Sequence, residues 1–421
     1  MSSAPAPRIS RRVLLGSAVA ASLSRAAAAE GRKPVEVIHW WTGGGEGAAI
    51  RVIRERFEAN GFTWQDTAVE GPDLAKTAAI TRVLGGKPPG VMLWFVGLDL
   101  PELYQDGVIR SIQPVAAAER WDASLPAEIS RRLKVDGSYI AVPADLHRGN
   151  WTFANNRLLE NAAVEIPTTW PEVFDACAKL QADSVIPVAF GGQPWQEAGV
   201  FVMVLAGVGG ASLVRRFISE HEPAAADSPE MVESFATFGR LKPFVDKANL
   251  NRSPTDTASL VSSGKAGLYF SGDWARGDLN KAGMRPETDY TCRASPGTDG
   301  MFLAVVDAFC MPRTNDPETL AAQDAFASIT MSPQVQHDFN LVKGSIPPRT
   351  DVELSGYDAC AQMAAELARD GGEILPSASM GMTTSMRQAM YDVVHRFWNT
   401  DDADPKLAAR DLRIAIERTR I

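Results

Sequence analysis

Val35-Glu-Val-Ile-His-Trp-Trp41, running straight into Thr42-Gly-Gly-Gly-Glu46, is the stretch whose reading decides the fold. Val35 and Val37 alternate and lead into Trp40, which predicts a first β-strand. The glycines at 43 to 45 and 47 predict a tight turn before an amphipathic helix that begins near Ala48 and runs to Ala59, with Ile50, Ile53 and Phe57 on one face. Two adjacent Trp at the carboxyl end of a strand, with a carboxylate just beyond, stand where open α/β sheets place ligands. Flat aromatic faces beside a hydrogen-bond acceptor suit a sugar, which has apolar C–H faces and a rim of hydroxyls. The same residues would also serve as core, because Trp is usually largely buried.

The β-α rhythm continues outward from this stretch. Phe62 to Val69 alternates as a second strand, Leu74 to Leu84 is a helix stopped at Gly85-Gly86, and Val91 to Val96 is a continuous apolar run suited to a buried parallel strand. This is the pattern of a doubly wound α/β sheet. Tyr139 to Pro143 reads as a short strand, after which the chain is expected to cross to a second lobe. His147-Arg-Gly-Asn-Trp151 reads as an edge strand, and Thr169 caps a helix through Leu180. Ile186 to Phe190 is a strand ending in Gly191-Gly-Gln-Pro-Trp-Gln196, and Met231 to Leu241 is a helix. A polar, irregular stretch reaches Asp256 before a short helix over Thr257 to Ser263. Gly264 to Phe270 is a strand that ends in Ser271-Gly-Asp-Trp274, repeating the opening design of strand, glycine, aromatic and carboxylate. Phe302 to Phe309 reads as one apolar strand interrupted by Asp307, a carboxylate that needs partners if buried. Leu320 to Thr330 is helical, Asn340 to Pro347 reads as a loop carrying Lys343, and helices are expected near 357–369, 384–397 and 405–419.

Length and composition bound the function. With 421 residues, 45% hydrophobic and 22% charged, two lobes are expected. Ser10-Arg11-Arg12-Val13-Leu14-Leu15, a short apolar run and Ala27-Ala-Ala29 predict a twin-arginine signal peptide over residues 1–29, hence a soluble protein exported to the periplasm. No later stretch approaches 18 uninterrupted apolar residues. Loss of Arg8, Arg11, Arg12 and Arg25 takes the net charge from −9 to −13, which argues against nucleic acid or an anionic membrane as partner. The four cysteines are widely spaced, with no Cys-x-x-Cys, so neither a zinc site nor a redox motif is indicated; one disulfide is allowed, and spacing does not choose it. Six Tyr and five His, scattered without metal spacing, argue against an iron site. There is no phosphate-binding Gly-x-x-x-x-Gly-Lys-[Ser/Thr] and no Gly-x-Ser-x-Gly elbow. Neither a cofactor nor a metal is expected.

Several motifs, in order, carry a resemblance over essentially the whole mature chain. They are Trp40-Trp41 with Glu46, Gly86-Lys-Pro-Pro-Gly90, Ala141-Val-Pro143 with His147-Arg148, Gly191 to Gln196, Gly272-Asp-Trp274, Ser295-Pro-Gly-Thr298 and Lys343-Gly-Ser-Ile-Pro347. The chain resembles the periplasmic glucose/mannose-binding proteins of ABC importers, within the extracellular sugar-binding solute receptors. The resemblance implies a two-lobed periplasmic binding protein fold of type II, one lobe over 34–142 plus 306–346 and the other over 143–305 plus 347–421, with the ligand in the cleft. It implies a monomer that binds a neutral sugar, related glycoside or polyol and delivers it to a permease with a separate ATPase. Position by position, it implies Trp40 and Trp41 as a wall against the ring, Glu46 as hydroxyl acceptor, Trp274 stacking from the other lobe, and Asp307 and Lys343 as polar rim. Gln196 and His147 lie in matching motifs. Phe95, with Trp94, stands where glucose-binding relatives carry a polar or basic residue, and Met380 where they commonly carry His, which points to a differently substituted ligand. The same resemblance implies a Cys292–Cys360 disulfide. Two other functions fit the residues: an exported carbohydrate-active enzyme using Glu46 and Asp307 as paired acids, and a receptor for an amine held by Glu46, Asp273 and Asp307.

Overall fold

The computed structural model describes residues 33–369 and 372–419. The predicted signal peptide over 1–29 lies outside the described residues.

The first strand, β1 (Val35–His39), is wholly buried and leads to α1 (Gly44–Ala59), β2 (Trp64–Ala68), α2 (Pro72–Leu84) and β3 (Val91–Phe95). The helix therefore starts at Gly44, not near Ala48, and the glycines form its first turn. Close packing explains them: a Cβ on Gly45 would lie 2.9 Å from the Cα of Gly277. β1 is parallel to both neighbours, with Val35 opposite Trp64 and Val37 opposite Val91. Further along come β4 (Val142–Pro143), β5 (His147–Arg148) and β6 (Trp151–Asn155). The single strand expected over Tyr139 to Pro143 is split, because Ser138–Tyr139 pairs instead with Lys134–Val135.

Next is α3 (Trp170–Ala182), opened by a capping box in which Thr169 accepts from the Glu172 N–H. It is followed by β7 (Ile186–Ala189) and α4 (Pro194–Val214), which the sequence reading passed over. The run Pro194–Ser219 is long and on average apolar enough to cross a membrane, although Ser212, Arg215 and Arg216 interrupt it before 18 uninterrupted apolar residues are reached; 61% of the apolar window is buried within the fold. A helix that is apolar on all sides is a core helix when protein covers it. α5 (Pro229–Gly239) and α6 (Pro254–Ser262) follow, the latter beginning with a Ser253 cap inside the stretch expected to be irregular.

β8 (Ala266–Ser271), α7 (Trp274–Lys281) and β9 (Tyr290–Ala294) precede the sharpest departure from the sequence expectation. The strand read over Phe302 to Phe309 is two, β10 (Met301–Val305) and β11 (Asp307–Cys310), in different sheets. The chain crosses from one sheet to the other at Val306, and Asp307 opens the second strand. α8 (Pro317–Met331) and α9 (Pro333–Lys343) follow, then α10 (Ala359–Arg369), β12 (Glu373–Pro376), α11 (Thr384–Trp398) and α12 (Pro405–Thr419). Lys343 thus ends a helix rather than sitting in a loop. Gly344 terminates it at φ +91°, and a Cβ there would meet the Asp273 carbonyl and the Gly277 N–H at 2.6 Å. Only glycine meets both demands.

One sheet has the order β2-β1-β3-β11-β4, a second β9-β6-β8-β7 and a third β12-β10-β5. Three segments link the two halves side by side: Ala144 to Leu146, Val305 to Asp307, and Ser345 to Ile346. Leu146 and Ile346 exchange backbone hydrogen bonds of 2.9 and 3.1 Å, and the Ala144 N–H donates to the Asp307 carbonyl at 2.8 Å. A disulfide joins Cys292 of β9 to Cys360 of α10, while Cys177 and Cys310 are buried thiols.

Candidate functional site

The carboxyl ends of β1 and β3, the amino ends of α1, α4 and α7, and the three linking segments surround one cavity of about 450 Å³. That lies within the range of small-molecule sites. Eight of the nine residues nominated from sequence line it: Trp40, Glu46, Phe95, His147, Gln196, Trp274, Asp307 and Lys343.

Trp41 does not, and its assignment to the wall is corrected. Successive residues leaving a strand point to opposite sides. Trp41 turns into the core, 1% exposed, edge-on to Phe309 at 5.6 Å and against Phe339 at 5.3 Å. Its indole carries the Lys343 ammonium 5.0 Å from the ring, so it supports the site from behind.

Trp40 instead pairs with Phe95 across the cavity wall, centroids 4.9 Å apart. Phe95 and Asp307 are partners in register across β3 and β11, which brings an aromatic face and an acid together from residues far apart in the chain. A second aromatic pair, Trp195 and Trp274 at 6.1 Å, comes from the amino ends of α4 and α7. Gly272 makes that pair possible, since a Cβ there would lie 2.1 Å from the Trp274 ring. Gln196 is held by its neighbours: its amide donates to Gln193 Oε1 (3.1 Å) and to the Arg252 carbonyl (2.8 Å). It shapes the loop beneath Trp195.

The polar side of the cavity is a buried charge network at the linking segments. Lys343 Nζ lies 2.8 Å from Glu46 Oε1, 2.9 Å from His147 Nε2, and 3.9 Å from both Asp145 and Asp307. His147 Nδ1 contacts Asp273, whose other oxygen accepts the Arg148 N–H at 3.0 Å. Asp145 accepts the Asp307 N–H at 3.0 Å. Burial opposes the Lys343 charge most, but Glu46, Asp145 and Asp307 outweigh it and raise the amine's pKa. Burial and Lys343 also oppose protonation of His147, but Asp145 and Asp273 outweigh them and raise its pKa to about 10. Both groups are thus drawn toward their charged forms, yet the 2.9 Å contact between Nε2 and Nζ needs one lone pair, so the two nitrogens compete for the proton between them while Nδ1 faces Asp273. Ligand atoms of Asp145, His147 and Asp307 lie within 4.8 Å of one another, a spacing a metal could use. The Lys343 ammonium sits among them and supplies the positive charge itself.

Asp307 is the exception in this network. Burial, then the charge of Asp145, pushes its pKa well above the carboxylate range. Its buried Oδ1 has no hydrogen-bond partner. Trp274 Nε1 is likewise buried and unpartnered. Unsatisfied buried polar atoms are uncommon; Trp41, Trp94, Trp151 and Trp170 also leave Nε1 unpartnered away from the cavity, so what sets Asp307 and Trp274 apart is their place at its wall.

Sequence reasoning passed over Trp195, Asp145, Asp73 and Arg387. Trp195 could have been found, because it follows the same strand, glycine and aromatic pattern as Trp274. Asp145 lies two residues from His147 in the motif already quoted. Asp73 and Arg387 had no local signal. Met380 is buried and does not line the cavity, whereas Ser377, Ala378 and Ser379 do.

Two α/β halves joined by three side-by-side segments, with a cavity between them lined by aromatics and unpaired polar atoms, define a two-lobed ligand receptor. The chain belongs to the bacterial extracellular solute-binding protein family, whose model matches residues 56–368. A probable sugar-binding periplasmic protein of Rhizobium meliloti (strain 1021) is 35% identical over 414 residues, 97% of this chain and 99% of that one. Among solved structures, a chitin oligosaccharide binding protein superposes with a TM-score of 0.78 at 18% identity, covering 91% of this chain and 98% of that chain. The bacterial solute receptor AcbH, described as exclusive for β-D-galactopyranose, gives 0.77 at 17% identity, covering 92% and 98%. These likenesses establish the fold as that of the periplasmic binding proteins.

Proposed function

We propose that this protein is the substrate-binding component of an ABC importer, capturing a sugar ring in the cleft and handing it to a membrane permease served by a separate ATPase. The supporting observation is the pairing of Asp307, a buried acid with a free oxygen, with Trp40–Phe95 on one side and Trp195–Trp274 on the other. Aromatic faces cover the C–H surfaces of a ring, and polar atoms around them meet its hydroxyls. The relatives' sugar-binding names support the same reading. The lobes, about 34–142 plus 306–346 and 143–305 plus 347–421, close about the linking segments, which requires only that the ligand bind the closed state better. The protein acts as an exported monomer in the periplasm, carried there by the twin-arginine route.

Glu46 is engaged by Lys343, an arrangement that suits fixing a hydroxyl better than attacking a glycosidic carbon. A thermal-shift screen over monosaccharides, disaccharides, glycosides and polyols tests the reading, because a ligand at 100 times its Kd stabilises by about 2.7 kcal/mol. A shift with at least one sugar or polyol is expected, and silence across that panel with a shift for a simple amine would overturn the assignment. Turnover of a chromogenic glycoside, abolished by Glu46→Gln, would overturn the non-catalytic role.

A further inference from the structure

A second group of charges meets the cavity at Phe95, on α2 and α11 rather than on the linking segments. Arg387 of α11 lines the cavity yet is 1% exposed. Its Nη2 donates to Asp73 Oδ1 at 3.1 Å and to Thr384 Oγ1 at 3.3 Å, while Nη1 has no hydrogen-bond partner. Asp73 does not close the guanidinium fork, because its other oxygen accepts from Gln388 at 2.6 Å. Lys76, one turn beyond Asp73 on α2, is buried with its Nζ 4.5 Å from the ring centroids of both Trp94 and Phe95. Among the described residues no carboxylate pairs with that ammonium. The Arg387 guanidinium carbon lies 5.9 Å from the same Phe95 ring. Two cations therefore converge on one aromatic ring in the cavity wall. Burial first, then repulsion from Arg387, brings the Lys76 amine down to about 7, against the pull of Asp99 and Asp73.

We propose that this end of the cavity is a subsite for a carboxylate carried by the sugar, making the ligand a sugar acid such as a uronate or aldonate. The inference rests on the sugar reading above and amends the expectation of a wholly neutral ligand. A carboxylate oxygen accepting from Arg387 Nη1 completes a half-used fork, the geometry for which guanidinium is suited. The same anion offsets the repulsion between Arg387 and Lys76, which lies against the Phe95 ring without itself lining the cavity, and favours the protonated amine. A monoanion fits better than a phosphate ester, because Asp73 and Asp99 remain close and repel a second negative charge. The absence of a polar residue at Phe95 follows as well: the ring gives the two cations a face to lie against while the substituent supplies the polarity.

The test is isothermal titration of matched pairs, D-glucuronate against D-glucose and D-galacturonate against D-galactose, with D-gluconate and glucose 6-phosphate in the same buffer at pH 7. At least one acid is expected to bind roughly ten- to a hundred-fold more tightly than its parent, as a charge-assisted hydrogen bond gives. Arg387→Gln is expected to collapse that ratio. Lys76→Met, which removes a buried charge without removing volume, is expected to lower it and keeps the test decisive if the arginine variant does not fold. Neutral parents binding as well as their acids would overturn the carboxylate subsite and leave the sugar reading standing. No binding by any member would overturn the carboxylate subsite, and the thermal-shift panel then decides the sugar reading separately. Preference for the phosphate ester over every carboxylate would overturn the choice of anion.

Discussion

Lys343→Met isolates what the charge network does. The ammonium it removes has Glu46 at 2.8 Å, His147 at 2.9 Å and two further acids, Asp145 and Asp307, at 3.9 Å, and its own side chain is 1% exposed. Deleting one member of a buried ionic network costs about 3–5 kcal/mol, because the remaining charges lose their compensation. With an unfolding entropy of about 2.1 cal/mol/K per residue over a chain of this size, that is a drop in Tm of about 4–6 °C. The sign with pH follows from the groups involved. Lys343 has a raised folded pKa, so its stabilisation is fully present below its ordinary value and is lost only in strong alkali. Asp145 has a lowered folded pKa, so its share is present above its ordinary value of 3.8 and fades as pH falls through the folded value. The wild-type advantage over Lys343→Met should therefore be flat from pH 5 to 8 and shrink toward pH 3. Differential scanning calorimetry over that range is the assay. Adding Asp145→Asn to Lys343→Met removes a carboxylate whose pKa is lowered and whose charge is left uncompensated, so the double variant should lie above the single one. An unchanged Tm in Lys343→Met, or a double variant less stable than the single, would refute the network as described.

The other consequences concern particular residues. Trp274→Ala should weaken ligand binding roughly ten-fold or more by titration, and Gly272→Ala should do so through displacement of the same ring, with little change in Tm. Trp40→Ala and Trp41→Ala should separate: the first reduces the ligand-induced thermal shift, whereas the second lowers stability by about 3–5 kcal/mol as a core truncation, read by denaturant midpoint. Lys76→Met should raise Tm at pH 6–7, where the buried amine carries a charge that folding disfavours. That gain should vanish as pH approaches 10.5, since a lysine with a depressed folded pKa makes stability rise with pH between the two values. Reduction of Cys292–Cys360, which closes a separation of 68 residues, should cost about 2–4 kcal/mol, measured as the Tm difference with and without dithiothreitol.

Local pattern was legible where one element's chemistry suffices. The alternation at Val35 and Val37, the apolar run at Val91, the Thr169 cap and the helical spacing of the last three helices all follow from short-range periodicity, and the structure has elements there. The strand, glycine and aromatic design is visible in the sequence at both Trp40 and Trp274, and a glycine is required where a Trp ring folds back over the backbone, as at Gly272. Helix starts were read late wherever glycine or proline opens them, at Gly44 and Pro254, since those residues terminate a pattern when read alone and begin one when a neighbouring helix packs on them.

What the sequence determined by itself is the alphabet of the site: aromatics at strand ends, acids beside them and one lysine. Which of two adjacent tryptophans faces the cavity was decided only by the tertiary structure, since Trp40 and Trp41 leave the strand on opposite sides and the sheet fixes which side is the cleft. The break of the apolar run at Val306, the pairing of Asp307 with Phe95, and the meeting of Asp73, Lys76 and Arg387 at the cavity are equally tertiary. Each depends on contacts between residues hundreds of positions apart, whose register no local periodicity encodes. The raised pKa of Asp307 belongs to the same class, because a carboxyl is pushed upward only when burial and a second acid, Asp145, are brought against it.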